Sequence, residues 1–400
     1  MLATALDVQA ECHELHDIIS FDDWDDFIAG ADQFTGGLPP VAATDPVMLQ
    51  YTSGTTGFPK GALLHHRGLV NNGHHFVDRL GVDDGDVYIQ TMPLFHTGGS
   101  VVGVLGCVSK HLTQVLVREF EPGLVMELSQ SYKSNTMLGV PTMLVAILEH
   151  PDFADADLSS LKALCSGGSL VPERLVRTLE EKLGAPFTIV FGQTECSPIA
   201  SMTRPTDTIE DKAGTIGPPM PNVEVRIVDP ESGETLPIGE VGEYLTRGYH
   251  VMHEYFEMPE ATAETIDADG WLHTGDLAAM DDRGYCTVEG RLKDMIIRGG
   301  ENIYPKELEE LLFAHDAVGE VAIVGLPDDT WGETVGAFIR PALGATVDKQ
   351  QLFSYLREHL APHKTPRQWF AVEEFPFTGS GKIQKFKLRQ QWIDGEWNEL

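Results

Sequence analysis

The sequence predicts a large α/β domain of parallel sheet and helices with an antiparallel, barrel-like subdomain, followed by a small α+β domain. Three observations predict it. From residue 45 to about 290, short β-rich runs alternate with longer helical ones, the pattern of mostly parallel α/β folds. Beyond residue 220 the texture shifts to strict alternation in "VEVRIVD" and tight turns in "PESGE" and "DDRG", which suits antiparallel strands. At "GRLKDMIIRGGENIYP", residues 290–305, charges and glycines cluster ahead of an amphipathic stretch, as they do at domain boundaries.

In chain order, "VYIQTM", "SNTMLGV", "LKALCSGG" and "FTIVFG" read as strands, with "PGLVMELSQSYK" and "PERLVRTLEEKLG" as helices. Pro122 and Pro172 stand at helix starts, where the missing N–H costs nothing, and Gly184 stands at a helix end. Past the boundary, "PKELEELLFAH" reads as a helix. "VGEVAIVGL" and "ETVGAFIRP" read as strands, with a helix near 348–360 and a strand near 367–372. The expected domains are therefore 1–290 and 291–400. The first 50 residues, with "FDDWDDFIAGAD", give the weakest pattern.

A chain of 400 residues, 42% hydrophobic, can bury a large core. No apolar run approaches the roughly 18 residues of a membrane span, and the N-terminus lacks the basic and apolar regions of a secretory signal, so a cytoplasmic protein is expected. Five scattered cysteines without CxxC spacing read as reduced thiols rather than disulfides or a zinc site. The net charge of -33 argues against nucleic-acid and anionic-membrane partners. It also means that an anionic substrate needs a local cationic pocket.

Lys60 is the first cation in the chain, after ten Asp and Glu residues, and it sits in "TSGTTGFPKG". Gly54, Gly57 and Gly61 allow a tight turn that exposes N–H groups. Thr52, Ser53, Thr55 and Thr56 add hydroxyls, so the stretch suits phosphate oxygens. A helix over roughly 65–79 is expected to aim its N-terminus at the same anion. The spacing does not match a Walker A loop, GxxxxGK(S/T).

The ten-residue string resembles the phosphate-loop signature of the adenylate-forming superfamily of acyl-CoA synthetases, peptide-synthetase adenylation domains and luciferases. Further resemblances follow in order. "FGQTE" (191–195) is similar to the family's aromatic-Gly-x-Thr-Glu motif, and "WLHTGD" (271–276) to its ribose motif. "GRLKD" and "GGENIYP" are similar to its hinge and second-half gate, and "PFTGSGKIQK" (376–385) to its terminal lysine motif. The last stretch also fails the Walker spacing, with Pro376 and Ile383 at the deciding positions.

The resemblance implies a two-step reaction. A carboxylate attacks the α-phosphate of ATP, releasing pyrophosphate, and a thiol then displaces AMP from the acyl adenylate. Both steps concentrate negative charge, so pre-placed donors lower the barrier by about 3–4 kcal/mol each. It further implies that Lys382 serves the reacting centre, Thr194 contacts phosphate, and Glu195 ligates Mg²⁺, a hard cation needing one or two protein carboxylates. Lys60 then meets the phosphates that leave as pyrophosphate. Phe191 and Gly192 flank adenine. Gly167, Gly168 and Ser169 edge the adenine pocket, or else form an ordinary turn between strand and helix. Asp276 accepts from both ribose hydroxyls, Arg291 donates to ribose or phosphate, and Lys293 is the hinge.

His96, Thr97 and Gly98 in "PLFHTGGS" resemble the wall between the acyl pocket and the thiol tunnel. An imidazole at a position where amino-acid-activating relatives carry aspartate suits an uncharged acyl tail. Val101, Val102, Val104 and Leu105 either line that pocket or form a buried helix. Gly299 and Gly300 would admit the pantetheine arm of coenzyme A. Lys382, Lys385, Lys387 and Arg389 would serve its phosphates or form a solvated helix face. His65, His66, His74 and His75 read as helix-surface residues. Within the superfamily, "YTSGTTGFPKGALLHHRGLVNN" looks most like the medium-chain fatty-acid ligases.

The expected partners are a small carboxylic acid, ATP, Mg²⁺ and CoA, with a homodimer allowed. An acyl-AMP ligase serving a carrier-protein thiol and an inactive nucleotide-binding fragment are the alternatives. Members of the family carry on the order of 100 or more residues ahead of the phosphate loop. Only about 50 precede it here, so the start of the family fold is expected to be absent.

Overall fold

Neighbouring residues on a strand face opposite ways, and the central strands of this protein are apolar on both sides. Tyr88, Leu138 and Cys165 join a cluster with Phe76, Val77 and Val102. Ile89, Met137, Leu164 and Phe187 join another with Val125, Leu144, Val176 and Leu179. A sheet buried on both faces is the setting of parallel strands. The computed structural model describes residues 2–31, 36–52, 59–168, 171, 173–342, 344–377 and 383–400.

Residues 1–42 form one unit and residues 43–400 another. The first contains helices Leu2–Glu11 and Trp24–Ala29, with the 3-10 turn Phe21–Asp23 before the second. The side chain of Ser20 accepts the Asp22 N–H at 3.2 Å, capping that turn.

In the second unit, the six-stranded sheet runs in the order Thr113–Leu116, Val87–Gln90, Thr136–Leu138, Ala163–Gly167, Phe187–Gly192, Ile199–Met202. Every pairing is parallel except the last. Helices Pro122–Tyr132, Pro141–Leu148 and Glu173–Leu183 contribute to the first cluster, and His66–Leu80 to the second. Two of them begin with proline as their first residue.

Helix His66–Leu80 packs on a π-helical segment, Gly98–Leu105, at backbone distance. A Cβ on Gly73 would stand 2.8 Å from the amide nitrogen of Gly106 and 2.8 Å from Val101 O, so only glycine fits there. Val101 and Val102 are fully buried by this packing. They belong to the core rather than to a pocket wall, which decides for the buried-helix reading of these two residues.

A three-stranded antiparallel sheet joins Pro46–Thr52, Lys60–His65 and Glu254–Tyr255. Its middle strand adds to the elements expected from the sequence, while the helix after it lies where it is expected, over roughly 65–79. Lys60–His65 carries the chain as a strand first, roughly 20 Å of extended backbone, and the helix starts at His66. Its N-terminus is capped by His65, whose Nδ1 accepts the Gly68 N–H at 2.9 Å and so takes one of the donors of that helix end. His65 is accordingly a buried cap and not a helix-surface residue.

The four-stranded antiparallel sheet has the order Cys286–Arg291, Leu272–Met280, Gly242–Gly248, Val223–Val228. The remaining sheet pairs Glu301–Ile303 with Ile296–Arg298, then Gly332–Pro341 with Val318–Asp328, and adds Gln368–Ala371 in parallel. One face buries Leu308 and Leu312 of helix Pro305–Phe313 and Leu352 and Leu356 of helix Lys349–His359. The other buries Leu388 of helix Lys385–Ile393. No helix among the described residues is long and apolar enough to cross a membrane. The five cysteines are free thiols, all buried but Cys12.

The acidic surplus is partly answered locally. Lys162 meets Asp83 at 2.8 Å and Asp86 at 2.9 Å, and Arg283 meets Asp211 and Asp281, both at 2.8 Å. Exposed pairs of this kind contribute little, so the long-range repulsion of 33 surplus charges outweighs them. Raising KCl from about 0.1 to 1 M shortens the screening length from about 10 to 3 Å. The melting temperature is expected to rise by about 1 °C for each kcal/mol of repulsion relieved. A melting temperature that falls across the same KCl series, measured by calorimetry, would refute this.

Candidate functional site

Strand Phe187–Gly192 ends in a turn that only glycine allows. A Cβ on Gly192 would lie 2.0 Å from Pro198 O. The chain then makes one 3-10 turn, Thr194–Cys196, and reverses at Ser197, whose φ of 61° is left-handed. Asn72 of helix His66–Leu80 braces the reversal, accepting the Ile199 N–H at 3.1 Å and donating to Ile199 O at 2.8 Å.

Glu195 is 8% exposed. Its backbone carbonyl accepts the Met252 N–H at 2.9 Å, and its Oε1 accepts the Tyr255 hydroxyl at 2.6 Å. Burial first, and then the Glu195 charge, push the Tyr255 phenol well above its ordinary range. It therefore stays protonated and remains a donor. Lys60 lies over the other end of the same side chain, with Nζ 4.7 Å from the Tyr255 ring centroid, a cation–π contact.

Lys60 and Thr52 are directly opposed across the hairpin, and Thr52 Oγ1 donates to Lys60 O at 3.4 Å. They hold the two ends of the glycine- and threonine-rich loop. Ser53, Gly54, Thr55, Thr56 and Gly57 lie outside the described residues, as do Ser169 and Lys382.

Phe191 is half-buried and meets Tyr244 edge-on, with ring centroids 5.1 Å apart. Gly167 stands opposite Val190 on the neighbouring strand, one residue from Phe191. Gly168 follows it with a φ of 79°. These glycines therefore edge the strand that carries the aromatic ring.

Asp276 and Arg291 are cross-strand partners, with Arg291 Nε 3.1 Å from Asp276 Oδ1. The pairing leaves other guanidinium donors for a ligand and aligns the carboxylate. Cys196 sits among the acids: burial first, then the Glu195 and Asp276 charges, raise its thiol well above the ordinary value. Its side chain is fully buried in the apolar cluster with Ala200, Ile227, Tyr244 and Leu272, the setting of a structural rather than a reactive thiol.

His96 Nδ1 accepts the Gly98 N–H at 2.9 Å, turning the chain into the π-helical segment, and Thr97 is fully buried. The segment is tied to the phosphate-loop hairpin, because Gln50 Nε2 donates to Phe95 O at 2.9 Å. Lys293 is exposed in the short turn Leu292–Asp294. Gly299 and Gly300 form a left-handed hairpin turn, φ 62° and 87°, in a different sheet. There the Gly299 N–H reaches Trp331 O at 2.8 Å.

Part of the cationic run is already committed. Lys385 pairs with Glu309 at 2.6 Å, and Arg389 approaches Glu333 at 3.5 Å. Both residues therefore carry a carboxylate partner within the small domain.

The structure thus brings together Lys60, Gly167, Gly168, Phe191, Gly192, Thr194, Glu195, Asp276 and Arg291 around one turn and its neighbours. Tyr255 and Tyr244 complete the arrangement without belonging to any of the motifs above, and Asn72, the last residue of the stretch that begins at Tyr51, braces it without having been singled out. The one trace in the sequence is that "HEYF" puts an aromatic amid polar residues. Among the described residues no group of three or more His, Cys, Asp or Glu is placed to cage a metal. A single buried carboxylate with one oxygen held by Tyr255 suits a hard cation whose other ligands come from polyphosphate and water.

The sequence pattern of the AMP-binding enzyme family matches residues 3–256, and that of the AMP-binding enzyme C-terminal domain matches residues 307–382. YngI of Bacillus subtilis (strain 168) is 44% identical over 349 residues, covering 87% of this chain and 64% of YngI. The mitochondrial medium-chain acyl-CoA ligase ACSF2 of Rattus norvegicus is 41% identical, covering 87% of this chain and 57% of the relative. The chain therefore spans somewhat under two thirds of the length of these relatives. Among solved structures, ATP-bound MatB from Rhodopseudomonas palustris superposes with a TM-score of 0.85 at 32% identity, covering 92% of this chain and 72% of that one.

Behind the site, His250 is fully buried with Nε2 2.9 Å from Thr246 Oγ1, and burial pushes its imidazole down to about 4. The unfolded chain binds that proton near pH 6.5, so this contribution to stability is complete above 6.5 and is lost as pH falls toward 4. The loss amounts to about 3 kcal/mol. Urea titrations across that window should show a shallower pH dependence for His250→Asn than for the wild type. Parallel curves would refute the assignment.

Proposed function

The chain belongs to the AMP-binding enzyme family, and from that premise we propose that it activates a carboxylic acid with ATP and transfers the acyl group to coenzyme A. The observation that carries the reading is the convergence of Lys60, Glu195 and the Asp276–Arg291 pair around the turn that follows Phe191. Few arrangements other than a nucleotide triphosphate ask for an aromatic face, a carboxylate–guanidinium pair, a metal-competent carboxylate and a lysine within one turn's reach.

In the first step a carboxylate oxygen attacks the α-phosphorus, the bond to the β-phosphate oxygen breaks, and pyrophosphate leaves. Lys60 and the N–H groups of its loop hold the departing phosphates, and Thr194 holds a phosphate oxygen. A magnesium ion, when bound through Glu195, supplies further charge neutralisation of the polyphosphate. Phe191 stacks on adenine and Asp276 accepts from the ribose hydroxyls, while Arg291 keeps Asp276 aligned. Lys382 serves the α-phosphate and the attacking carboxylate.

In the second step the coenzyme A sulfur attacks the acyl carbon, the acyl C–O bond breaks, AMP departs and the thiol proton passes to solvent. Turning about Lys293 exchanges Lys382 for the Gly299–Gly300 turn at the site. That places a domain boundary at 290/291, a reading supported by the two family patterns lying on either side of it. A medium-chain fatty acid is the proposed substrate, supported by the likeness to a relative named as a medium-chain ligase and by an imidazole rather than a carboxylate at position 96. The cytoplasm is the proposed setting.

The test is ATP–pyrophosphate exchange with a series of straight-chain acids from six to twelve carbons. Exchange should require the acid and fall by about 10²–10³ in Lys382→Ala. Undiminished exchange in that variant would remove Lys382 from the role. Acyl-AMP formation without any CoA-dependent AMP release would instead make the acceptor a carrier-protein thiol.

A further inference from the structure

Tyr255 belongs to none of the motifs that define the site, yet it touches two of its charged groups. Its hydroxyl donates to Glu195 Oε1 at 2.6 Å, and its ring lies beneath Lys60 Nζ at 4.7 Å. Its own placement is over-determined. Tyr255 pairs with Ala62 on the lysine's strand, the Phe256 N–H reaches Gly61 O at 2.8 Å, and the Tyr255 N–H reaches Thr262 Oγ1 at 2.9 Å. Tyr255 is 6% exposed, so neither its ring nor its hydroxyl has room to turn away.

We propose that Tyr255 is a positioning residue that couples the phosphate-binding lysine to the metal-binding carboxylate. This inference rests on the nucleotide reading of the site. Holding Oε1 fixes the Glu195 carboxylate and leaves Oε2 for a divalent cation. A freely rotating carboxylate would have to be ordered when the ion arrives. The ring face restricts the Lys60 ammonium to the side of the hairpin where the loop begins, so that the cation is in place before the phosphates are. Between them, the two contacts set the separation of the positive charges that a polyphosphate must bridge.

The experiment measures ATP binding calorimetrically, without any acid substrate, once in EDTA and once in saturating MgCl₂. The ratio of the two dissociation constants is the gain in affinity due to the metal. Tyr255→Phe keeps the ring and loses the hydroxyl, so it should reduce that gain about tenfold while leaving the EDTA value unchanged. Tyr255→Leu should in addition weaken binding in EDTA about threefold.

Glu195→Gln serves as the reference and should lose the gain. If Tyr255→Phe keeps the full gain while Glu195→Gln loses it, Tyr255 does not position the carboxylate. If Tyr255→Phe weakens both conditions equally, its role is purely structural. Either result overturns this inference and leaves the proposed function intact. A wild-type chain that does not bind ATP, or a Glu195→Gln variant with an undiminished gain, would sink the underlying reading and this inference with it.

Discussion

A carboxylate buried beside an aromatic ring and next to a lysine strand is the constraint around which the site is built. Glu195 is almost out of water, and a buried carboxylate costs free energy unless it is hydrogen-bonded. The Tyr255 hydroxyl supplies that bond, and Tyr255 is available only because residues 254–255 add a short third strand to the hairpin that begins with Lys60. Remove that strand pairing and both the lysine and the glutamate lose their common support.

The rest of the second unit explains why the turn carrying Glu195 is stiff enough for this. The strand before it lies in a sheet with apolar residues on both faces, and the strand after it is the antiparallel edge of the same sheet. Asn72 pins the reversal from a helix that itself packs at glycine distance on the π-helical segment. The chain thus spends its tightest packing immediately behind the residues that face solvent and ligand. Its cations follow the same economy: Lys60 rests on a ring, Arg291 on Asp276, Lys385 on Glu309. Against a net charge of -33, such local anchoring decides where an anion is welcome.

Much of this was legible from residues alone. Strand Phe187–Gly192, helix Pro122–Tyr132, strand Val223–Val228 and the α+β elements after residue 300 follow from periodicity and from proline and glycine placement. The hairpin Pro46–Thr52 with Lys60–His65 did not. Glycine and threonine between two strands look the same as glycine and threonine before a helix. His65 likewise looked like a surface residue, because a cap is defined by backbone direction, which composition does not encode. The valines after Gly98 were ambiguous for a related reason: an apolar run lines a pocket or fills a core according to what packs on it.

What the sequence by itself determined is the chemistry on offer: a lysine in a glycine-rich loop, an aromatic and a glutamate in one five-residue run, an aspartate after a glycine, and the order in which they occur. Local backbone needs and side-chain functional groups are written in the residues that carry them. Only the tertiary structure decided which of these groups share a site, that Arg291 stands opposite Asp276, that Lys385 and Arg389 are already paired, and that Tyr255 joins Lys60 to Glu195. Those relations depend on strand register and on contacts between segments up to 195 residues apart, such as Lys60 and Tyr255. No local pattern specifies where such segments meet; the burial of two apolar sheet faces does.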